Sequence, residues 1–305
     1  MSSIEPGITR SEALARARAR LREAIPPAAL PEPETEGEWL LLHALGIGRT
    51  ALRTEPNTSL TPEEAARLER DLARRARREP IQLILGEVPF LGASIRVEPG
   101  VLIPRPETEA LVETATAALR EQSHAAPGRP GVLLDWGTGT GAIAIALLQA
   151  LPSWTGVAAD RSAQALTLAG QNAARNGVAD RLSILEADFR DPKTWPWSDP
   201  AFDLVIANPP YVRRGDLEGL MPEVRDHDPV EALDGGVDGL DAFRAIALGL
   251  PRWLRPEGLL ALEIGSDQAD NVLGLFSAHI QGARALPDWA GRPRIVIGTM
   301  RGERA

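Results

Sequence analysis

The amino-acid sequence predicts an α/β protein: a doubly wound, mostly parallel sheet preceded by a small all-α helical bundle and a β-hairpin linker. From Val132 onward, short apolar runs alternate with stretches of helical pattern. Before about residue 84 the chain carries helix start and stop signals only. Between 85 and 105, glycine and proline separate short apolar pieces, which is typical of a hairpin. We therefore predict a helical domain over 1–84, a linker over 85–105 and an α/β domain over 106–305.

The helical part has three marked helix starts, each with a threonine three residues before a glutamate, the spacing of a capping box. They lie at 9–12, 35–38 and 61–64, and Pro62 at the first helical position strengthens the last of them. We expect the first helix to end near Ile25, the second at Gly46, which tolerates left-handed backbone, and the third near Arg78.

The third helix ends in an arginine-rich stretch. It contains Arg70, Arg74, Arg75, Arg77 and Arg78. We interpret this stretch as a solvated face that complements the helix dipole. Docking to an acidic partner or to RNA is the alternative interpretation. The helical domain contains no catalytic constellation, so its predicted role is substrate recognition.

The α/β part alternates strands and helices, which favours a parallel sheet. Six strands are predicted, at 132–136, 155–160, 181–187, 202–207, 259–264 and 294–297. Helices are predicted after the piece 103–109 to about 121, at 142–150, at 162–176, within 211–255 and at 267–279. Residues 122–131 are interpreted as a flexible loop.

The composition excludes several classes of function. The chain has 305 residues and a formal net charge of -9; its first 84 residues hold 13 basic and 13 acidic side chains, so the α/β part carries the whole excess. An acidic domain does not resemble a binder of nucleic-acid phosphates. There is no cysteine, and the four histidines lie far apart, so no metal site is expected. With no long apolar run or signal core, we expect a cytoplasmic monomer.

Asn208-Pro209-Pro210-Tyr211 directly follows the apolar run 202–207. Two prolines forbid continuation of a strand, so the backbone turns out at its carboxyl end, where open α/β sheets bind ligands. The Asn side chain and the proline carbonyls offer acceptors beside a flat tyrosine ring. This combination suits a planar group that carries an NH2, such as an amide or a nucleobase edge. A proline-rich turn that only closes a strand is the other interpretation.

A second constellation is the loop Asp135-Trp136-Gly137-Thr138-Gly139-Thr140-Gly141 between the first strand and its helix. Three alternating glycines permit positive φ and a close approach of a ligand to the backbone, and the next helix points its N-terminus at that ligand. Asp160 ends the second strand, where an acid can accept from ribose hydroxyls. The pattern indicates an adenosine-containing ligand.

Two classes of cofactor fit the glycine loop, because its spacing also satisfies the dinucleotide pattern. Asp135 favours S-adenosylmethionine, since a carboxylate beside the loop suits an ammonium and repels a pyrophosphate. The Asn208 segment also has a task in methylating an amine or amide and none in hydride transfer. At the end of the third strand, Asp188 can accept from an adenine NH2 and Phe189 can pack on the base, although core packing explains Phe189 nearly as well.

Together these residues resemble the release factor glutamine methyltransferase family (HemK/PrmC type), a branch of the class I methyltransferases with a Rossmann-like sheet. The resemblance covers most of the chain. It includes 79–81, 85–86, 102–109, 137–141, Asp160, 188–189, 208–211, 232–233, 236, 238–239 and 263–265. Two departures are visible: Trp136 stands where a smaller aliphatic residue is usual, and Asp228-Pro229 stands where Glu-Pro is common.

The resemblance implies transfer of a methyl group from S-adenosylmethionine to the glutamine of the Gly-Gly-Gln loop in class I peptide chain release factors. It implies cofactor contacts from Gly137, Thr138, Gly139, Thr140, Gly141, Asp160, Phe189 and Asn208. It also implies that Asn208, Pro209, Pro210 and Tyr211 hold the glutamine. In the mechanism we expect, Asn208 and the Pro209 carbonyl accept the two amide N–H bonds while Tyr211 packs on the amide plane.

Three alternatives remain open from the sequence. A nucleic-acid or ribosomal-protein amino methyltransferase shares the cofactor and the 208–211 segment, but for nucleic acid it predicts a basic groove. A non-catalytic adaptor for release factor or ribosome would tolerate a broken glycine loop or a lost Asn208, and both are intact. A nicotinamide dehydrogenase is the most distant alternative.

Overall fold

The computed structural model describes residues 3–26, 32–122 and 130–302. The helices are α1 (Arg10–Ala24), α2 (Pro33–Leu45), α3 (Arg49–Thr54), α4 (Pro62–Ala76), α5 (Ile81–Leu85), α6 (Pro106–Gln122), α7 (Ala142–Ala150), α8 (Ala163–Arg175), α9 (Pro222–Arg225), α10 (Val230–Leu233), α11 (Asp241–Trp253) and α12 (Ala269–Phe276). The strands are β1 (Glu87–Phe90), β2 (Ala93–Arg96), β3 (Val132–Trp136), β4 (Thr155–Asp160), β5 (Leu182–Glu186), β6 (Phe202–Ala207), β7 (Leu254–Glu263), β8 (Ile280–Pro287) and β9 (Pro293–Met300). Short 3-10 helices lie at Pro192–Thr194 and Arg214–Gly219.

The chain forms two compact units, and the first is helical. It comprises the residues up to Gly86 together with Leu220–His227, so a short stretch from the second half of the sequence belongs to it. Helices α1, α2 and α4 pack around a shared apolar core in which Leu21, Leu41 and Leu68 have no exposed surface. The predicted helical nature of this part is confirmed.

Two of the three predicted capping boxes are present. Thr9 and Thr61 each accept from the backbone N–H three residues on, and the glutamates at those positions reach back to the cap backbone. The box predicted at 35–38 is wrong, because α2 begins earlier, at Pro33. Proline fixes φ at the first turn and has no N–H to lose there. Thr35 therefore lies inside the first turn and donates its hydroxyl to Glu32 at 3.0 Å.

The arginine-rich end of α4 is only partly a solvated face. Arg77 is exposed, but the side chain of Arg75 is 4% exposed and donates to Glu36 at 2.6 Å and to Glu223 at 3.0 Å. Arg78 binds the same Glu223, at 2.6 Å. Burial alone would raise the pKa of Glu223, but hydrogen bonds from the two arginines outweigh it and lower that pKa to about 2. The interpretation as a solvated face is wrong for Arg75 and Arg78.

The second unit comprises Glu87–Gly219 and Asp228–Ala305, and it contains a seven-stranded sheet in the order β5-β4-β3-β6-β7-β9-β8. The first five strands pair in parallel, and β9 runs antiparallel to both β7 and β8. The predicted mostly parallel sheet is thus confirmed. Edge strand β8 was not predicted; it mixes small, polar and charged residues around Gly282, whose φ is 62°.

Both faces of the sheet are covered, as doubly wound sheets require. Alternate strand residues point to opposite sides: Leu133 and Leu204 pack with α6 and α7, whereas Leu134 and Val205 pack with α11 and α12. Helix α8 packs on β4 and β5. The predicted hairpin is present as β1 and β2, joined by Leu91 and Gly92, both with positive φ. Of the predicted loop 122–131, Gln122 ends α6 and 123–129 lie outside the described residues.

Candidate active site

A cavity of about 370 Å³ opens at the carboxyl ends of β3, β4, β5 and β6. In the strand order, β4 and β6 flank β3 on opposite sides, so this is the point where the chain direction across the sheet reverses. Ligands of open α/β sheets bind at such switch points. The lining includes residues 100–105, Thr108, 137–140, 142–143, 160–162, Ala165, 187–190, Asn208, Pro210, Pro229 and 231–232.

The glycine loop adopts the strained backbone that its composition predicts. Gly137, Gly139 and Gly141 have φ values of 69°, 56° and 83°, a region that side chains with a Cβ rarely adopt. A Cβ on Gly141 would meet the backbone of Ala169 at 3.2 Å, so this glycine also allows α7 and α8 to pack closely. Helix α7 starts directly after the loop and presents its N-terminus there. Thr138 and Thr140 both line the cavity and are both buried.

Asp135 lies beneath this loop and has no exposed surface. Its Oδ2 accepts from the Thr138 hydroxyl at 2.6 Å and from the backbone N–H of Ala144 at 3.2 Å. The carboxylate thus fixes the loop and the first turn of α7 from below. Burial raises the pKa of Asp135 from 3.8 to about 7, with the nearby Asp160 charge acting in the same direction.

Asp160, at the end of β4, and Phe189, shortly after the end of β5, both line the cavity. Asp160 Oδ2 accepts from the backbone N–H of Gly139 at 2.9 Å, so this acid also holds the glycine loop in place. The Phe189 ring is 7% exposed and meets Trp136 edge-on, with centroids 6.1 Å apart. Trp136 itself is fully buried in a cluster with Trp197 and Trp253. Trp136 therefore supports Phe189 from behind.

The linker contributes residues to the cavity, which the sequence did not predict. Its last residues, 100–105, line the cavity, although the prediction gave them no role at the site. Arg105 forms an ion pair with Asp228, which is 6% exposed and precedes the lining residue Pro229. The buried Asn172 of α8 accepts from the backbone of Arg96 and donates to the Thr140 carbonyl, at 2.8 and 2.9 Å. The hairpin, α8 and the glycine loop are thereby linked.

Asn208 projects into the same cavity from the end of β6 and is held by two residues from distant parts of the sequence. Its Nδ2 donates to Thr108 Oγ1 at 3.1 Å, and Thr108 donates to Glu263 Oε2 at 2.7 Å. Thr108 and Glu263 are 3% and 1% exposed. Burial raises the pKa of Glu263, while hydrogen bonds from Thr108 and Tyr211 act in the opposite direction.

The remaining residues of the segment lie beside Asn208 in different settings. Pro210 lines the cavity, Pro209 is buried, and among the described residues none donates a hydrogen bond to the Pro209 carbonyl. Tyr211 is not part of the cavity lining; its hydroxyl donates to Glu263 Oε1 at 3.1 Å. Burial raises the pKa of Tyr211, so the phenol remains protonated and acts as a donor.

The backbone of Tyr211 is enclosed by a glycine-rich loop. Its carbonyl accepts from Gln268 Nε2 at 3.0 Å, and a Cβ added to Gly235 would lie 2.8 Å from the Tyr211 Cα. A Cβ on Gly239 would lie 2.5 Å from the Tyr211 carbonyl oxygen. Only glycine leaves room for this approach, so the loop 235–239 determines where the segment after Pro210 can lie.

Thr108 and Glu263 lie in stretches of the sequence that resemble the family, but the sequence alone assigned neither residue a role. Asn172 and Gln268 were not identified from the sequence. The signal for the first pair was a hydroxyl at the start of a helix and an acid at the end of a buried strand. In the described ranges, no cluster of three or more His, Asp or Glu side chains is arranged to hold a metal ion. None of the described helices is both long and apolar enough to cross a bilayer.

Comparison with known proteins finds two family models that match successive parts of the sequence. A family model described as the PrmC N-terminal domain matches residues 12–86, and one described as the methyltransferase small domain matches 108–221. A protein of Geobacter sulfurreducens named release factor glutamine methyltransferase is 46% identical over 79% of this chain and 80% of its own length. One of the same name from Cereibacter sphaeroides is 43% identical over 92% of this chain and 97% of its own. The chain belongs to the release factor glutamine methyltransferase family.

The relationship extends beyond bacteria, since the human protein named MTRF1L release factor glutamine methyltransferase is 36% identical over 88% of this chain and 81% of its own length. Membership of the release factor glutamine methyltransferase family confirms the resemblance stated from the motifs. It also confirms the Rossmann-like methyltransferase fold and S-adenosylmethionine as the cofactor. A dehydrogenase is thereby excluded.

Proposed function

We propose that this protein transfers a methyl group from S-adenosylmethionine to the side-chain amide nitrogen of the glutamine in the Gly-Gly-Gln loop of class I peptide chain release factors. The observation that carries the proposal is the position of Asn208: its carboxamide lines the same cavity as the glycine loop and Asp160. Asn208, which can bind an amide, and the glycine loop with Asp160, which can bind an adenosine, therefore line one cavity.

The cavity fits the cofactor in size and chemistry. Its volume of about 370 Å³ lies within the usual range for small-molecule sites. A Cβ on Gly137 would have its nearest neighbour, Phe189, 4.0 Å away, so at this lining residue glycine leaves room that a side chain would take. We assign the cofactor's amino-acid part to the loop 137–141, the ribose to Asp160 and the base to Phe189. When bound, S-adenosylmethionine supplies the electrophilic methyl group.

The residues of the 208–211 segment act on the glutamine amide. Asn208 Oδ1 and the Pro209 carbonyl accept its two N–H bonds, which favours the positive charge that develops on nitrogen. Most of the rate then comes from alignment and electrostatic stabilisation rather than from a general base. The nitrogen gains the methyl group as the bond between that group and sulfur breaks, and it then releases one of its two N–H protons to water. Tyr211 packs beside the amide, with its hydroxyl tied to Glu263.

The helical domain 1–84 is the proposed recognition domain for the release factor, and the cytoplasm, where bacterial translation terminates, is the proposed compartment. The names of the relatives support the release factor as the partner. The net charge of the α/β part argues against the nucleic-acid alternative, since that part carries all of the -9.

The test is incubation of the purified protein with labelled S-adenosylmethionine and, separately, release factor, ribosomal protein and nucleic acid. Mass mapping then locates the modified residue. We expect label on the Gly-Gly-Gln glutamine alone, and a release factor in which that glutamine is replaced by alanine should take up none. Label on nucleic acid or on a ribosomal protein, with an unlabelled release factor, would contradict the proposal.

A further inference from the structure

The direction of the Asn208 carboxamide matters for the proposed reaction. An amide has one accepting branch and one donating branch. A glutamine amide nitrogen needs an acceptor, so the Asn208 oxygen and not its NH2 must meet the substrate. Rotating the side chain by half a turn exchanges the two with almost no change in shape, so packing alone does not select the correct direction.

Hydrogen bonds do select it. The ionised form of Glu263, which burial disfavours and the nearby Arg294 charge favours, accepts on both of its oxygens. Its Oε2 receives the Thr108 hydroxyl at 2.7 Å and its Oε1 receives the Tyr211 hydroxyl at 3.1 Å. Thr108 has a single proton and gives it to Glu263, so toward Asn208 it can only accept. The Asn208 branch 3.1 Å from Thr108 Oγ1 must therefore be the NH2.

The Tyr211 end of this series of hydrogen bonds is also fixed. Arg294 donates to the Ile264 carbonyl at 3.1 Å and places its guanidinium 6.0 Å from the Tyr211 ring centroid, which keeps a positive charge near Glu263. Thr108 and Glu263 are almost fully buried, so water does not compete for their hydrogen bonds. A reversed Asn208 would place two oxygen acceptors about 3 Å apart without a proton between them.

We propose that Thr108 and Glu263 are positioning residues that fix the direction of Asn208, so that its oxygen faces the substrate and the site selects a carboxamide NH2. This rests on the proposed function, because it assigns the Asn208 oxygen to a substrate N–H. A consequence is discrimination against glutamate: its carboxylate has only acceptors and would face the Asn208 oxygen without a donor.

The test compares two threonines on α6. Thr108→Val removes the hydroxyl that directs Asn208. Thr116→Val is the matched control, because Thr116 is 7% exposed on the same helix and its hydroxyl has no hydrogen-bond partner among the described residues. Thr108→Ser restores the hydroxyl, and Thr108→Ala removes it with less bulk, which covers the case that valine does not fold.

Each variant is assayed with S-adenosylmethionine and purified release factor, alongside its Tm and its cofactor Kd. For T108V and T108A we expect kcat to fall by about tenfold or more. T108V and T108A should have a lower Tm than T116V, because Glu263 Oε2 and Asn208 Nδ2 lose their buried hydrogen-bond partner. The cofactor Kd should change far less than kcat, and T108S should recover most of the turnover. The wild type should bind a release factor with glutamine in its Gly-Gly-Gln loop more tightly than a release factor with glutamate there. In T108V the two dissociation constants should differ by a smaller factor.

Three results overturn the inference: T108V and T108A turn over as fast as T116V, T108S is no faster than T108V, or the glutamine-to-glutamate ratio stays at its wild-type value in a slowed T108V. A wild-type protein that methylates no release-factor glutamine overturns the proposed function itself. An active wild type with an equally active T108V leaves the proposed function intact and rejects only the positioning role.

Discussion

Asn208 is the residue whose loss should separate binding from chemistry. In Asn208→Ala the cavity keeps its glycine loop and Asp160, while the side-chain acceptor for the substrate amide is gone. Removing one such acceptor or donor commonly costs about 10²- to 10³-fold in kcat. We expect that loss, with a much smaller change in the cofactor Kd measured by calorimetry. Turnover within a few-fold of wild type would reduce Asn208 to a turn residue.

Asp135 should make the protein less stable as pH rises. Its pKa is raised by burial from 3.8 to about 7, so the folded state holds the proton more tightly than the unfolded chain. The stabilisation is fully present below about pH 4 and is lost by about pH 7, with an upper limit on the order of 4 kcal/mol. Urea unfolding across this window measures it.

Asp135→Asn is the control for that titration. The asparagine oxygen can still accept from Thr138 and Ala144, but the side chain does not ionise. Other buried carboxyls, such as Glu263, contribute to both proteins equally, so the difference between wild type and variant isolates Asp135. If the unfolding free energies of the two proteins change with pH in parallel between about pH 4 and pH 7, Asp135 does not titrate on folding in that range, which would contradict the prediction.

The sequence allowed some site residues to be assigned and not others, for a physical reason. Asp160 and Asn208 each end a recognisable strand, so the parallel sheet predicts that they meet at one edge. Thr108 is 100 residues from Asn208 and 155 from Glu263, and only the packing of α6 on the sheet brings the three together. The local sequence pattern around each of these three residues contains no information on their contacts with one another.

At the scale of elements, the loop 235–239 should control the position of the 208–211 segment. In Gly235→Ala the new Cβ would lie 2.8 Å from the Tyr211 Cα and 2.9 Å from the Gly239 Cα, so backbone must move. We expect kcat to fall by about tenfold or more, since small displacements of reacting groups are costly. The cofactor Kd should change little, because residues 137–141 lie elsewhere.

Gly215→Ala is the matched control for this loop. Gly215 belongs to the 3-10 helix Arg214–Gly219, has no atom within 4 Å of an added Cβ, and has no positive φ. Steady-state kinetics with release factor should therefore show wild-type turnover for G215A and reduced turnover for G235A. Equal rates for the two variants would mean that the loop does not constrain the substrate segment.

Element prediction succeeded where a pattern was local and strong. The run 202–207 and the helix at 142–150 have the predicted bounds, because continuous apolar residues specify buried elements. Strand β8 lacks that signal, since it lies at the sheet edge, pairs with β9 alone and has mostly half-buried or exposed residues. The start of α2 was misplaced because Pro33 favours a first turn more strongly than a Thr-Glu pair favours a cap.

At the scale of the whole molecule, Glu223 should matter for the stability of the helical unit. It binds Arg75 and Arg78, and the Arg75 side chain is 4% exposed. Glu223→Gln removes the charge and leaves a buried guanidinium with Glu36 as its remaining acid. We expect a loss of about 1–3 kcal/mol in unfolding free energy, measured by denaturant titration. The exposed Glu23 of α1 is the control, and E23Q should behave as wild type.

The helical unit includes Glu223, so no single continuous piece of the gene encodes it. The stretch 220–227 that completes it is embedded in the sequence of the other unit. A cut or fusion at Gly86 would yield an N-terminal fragment that contains every residue of α1 to α5 and still lacks the acid that Arg75 and Arg78 share. We therefore expect a recognition domain exchanged between relatives to be more stable when this distant octapeptide is transplanted with it.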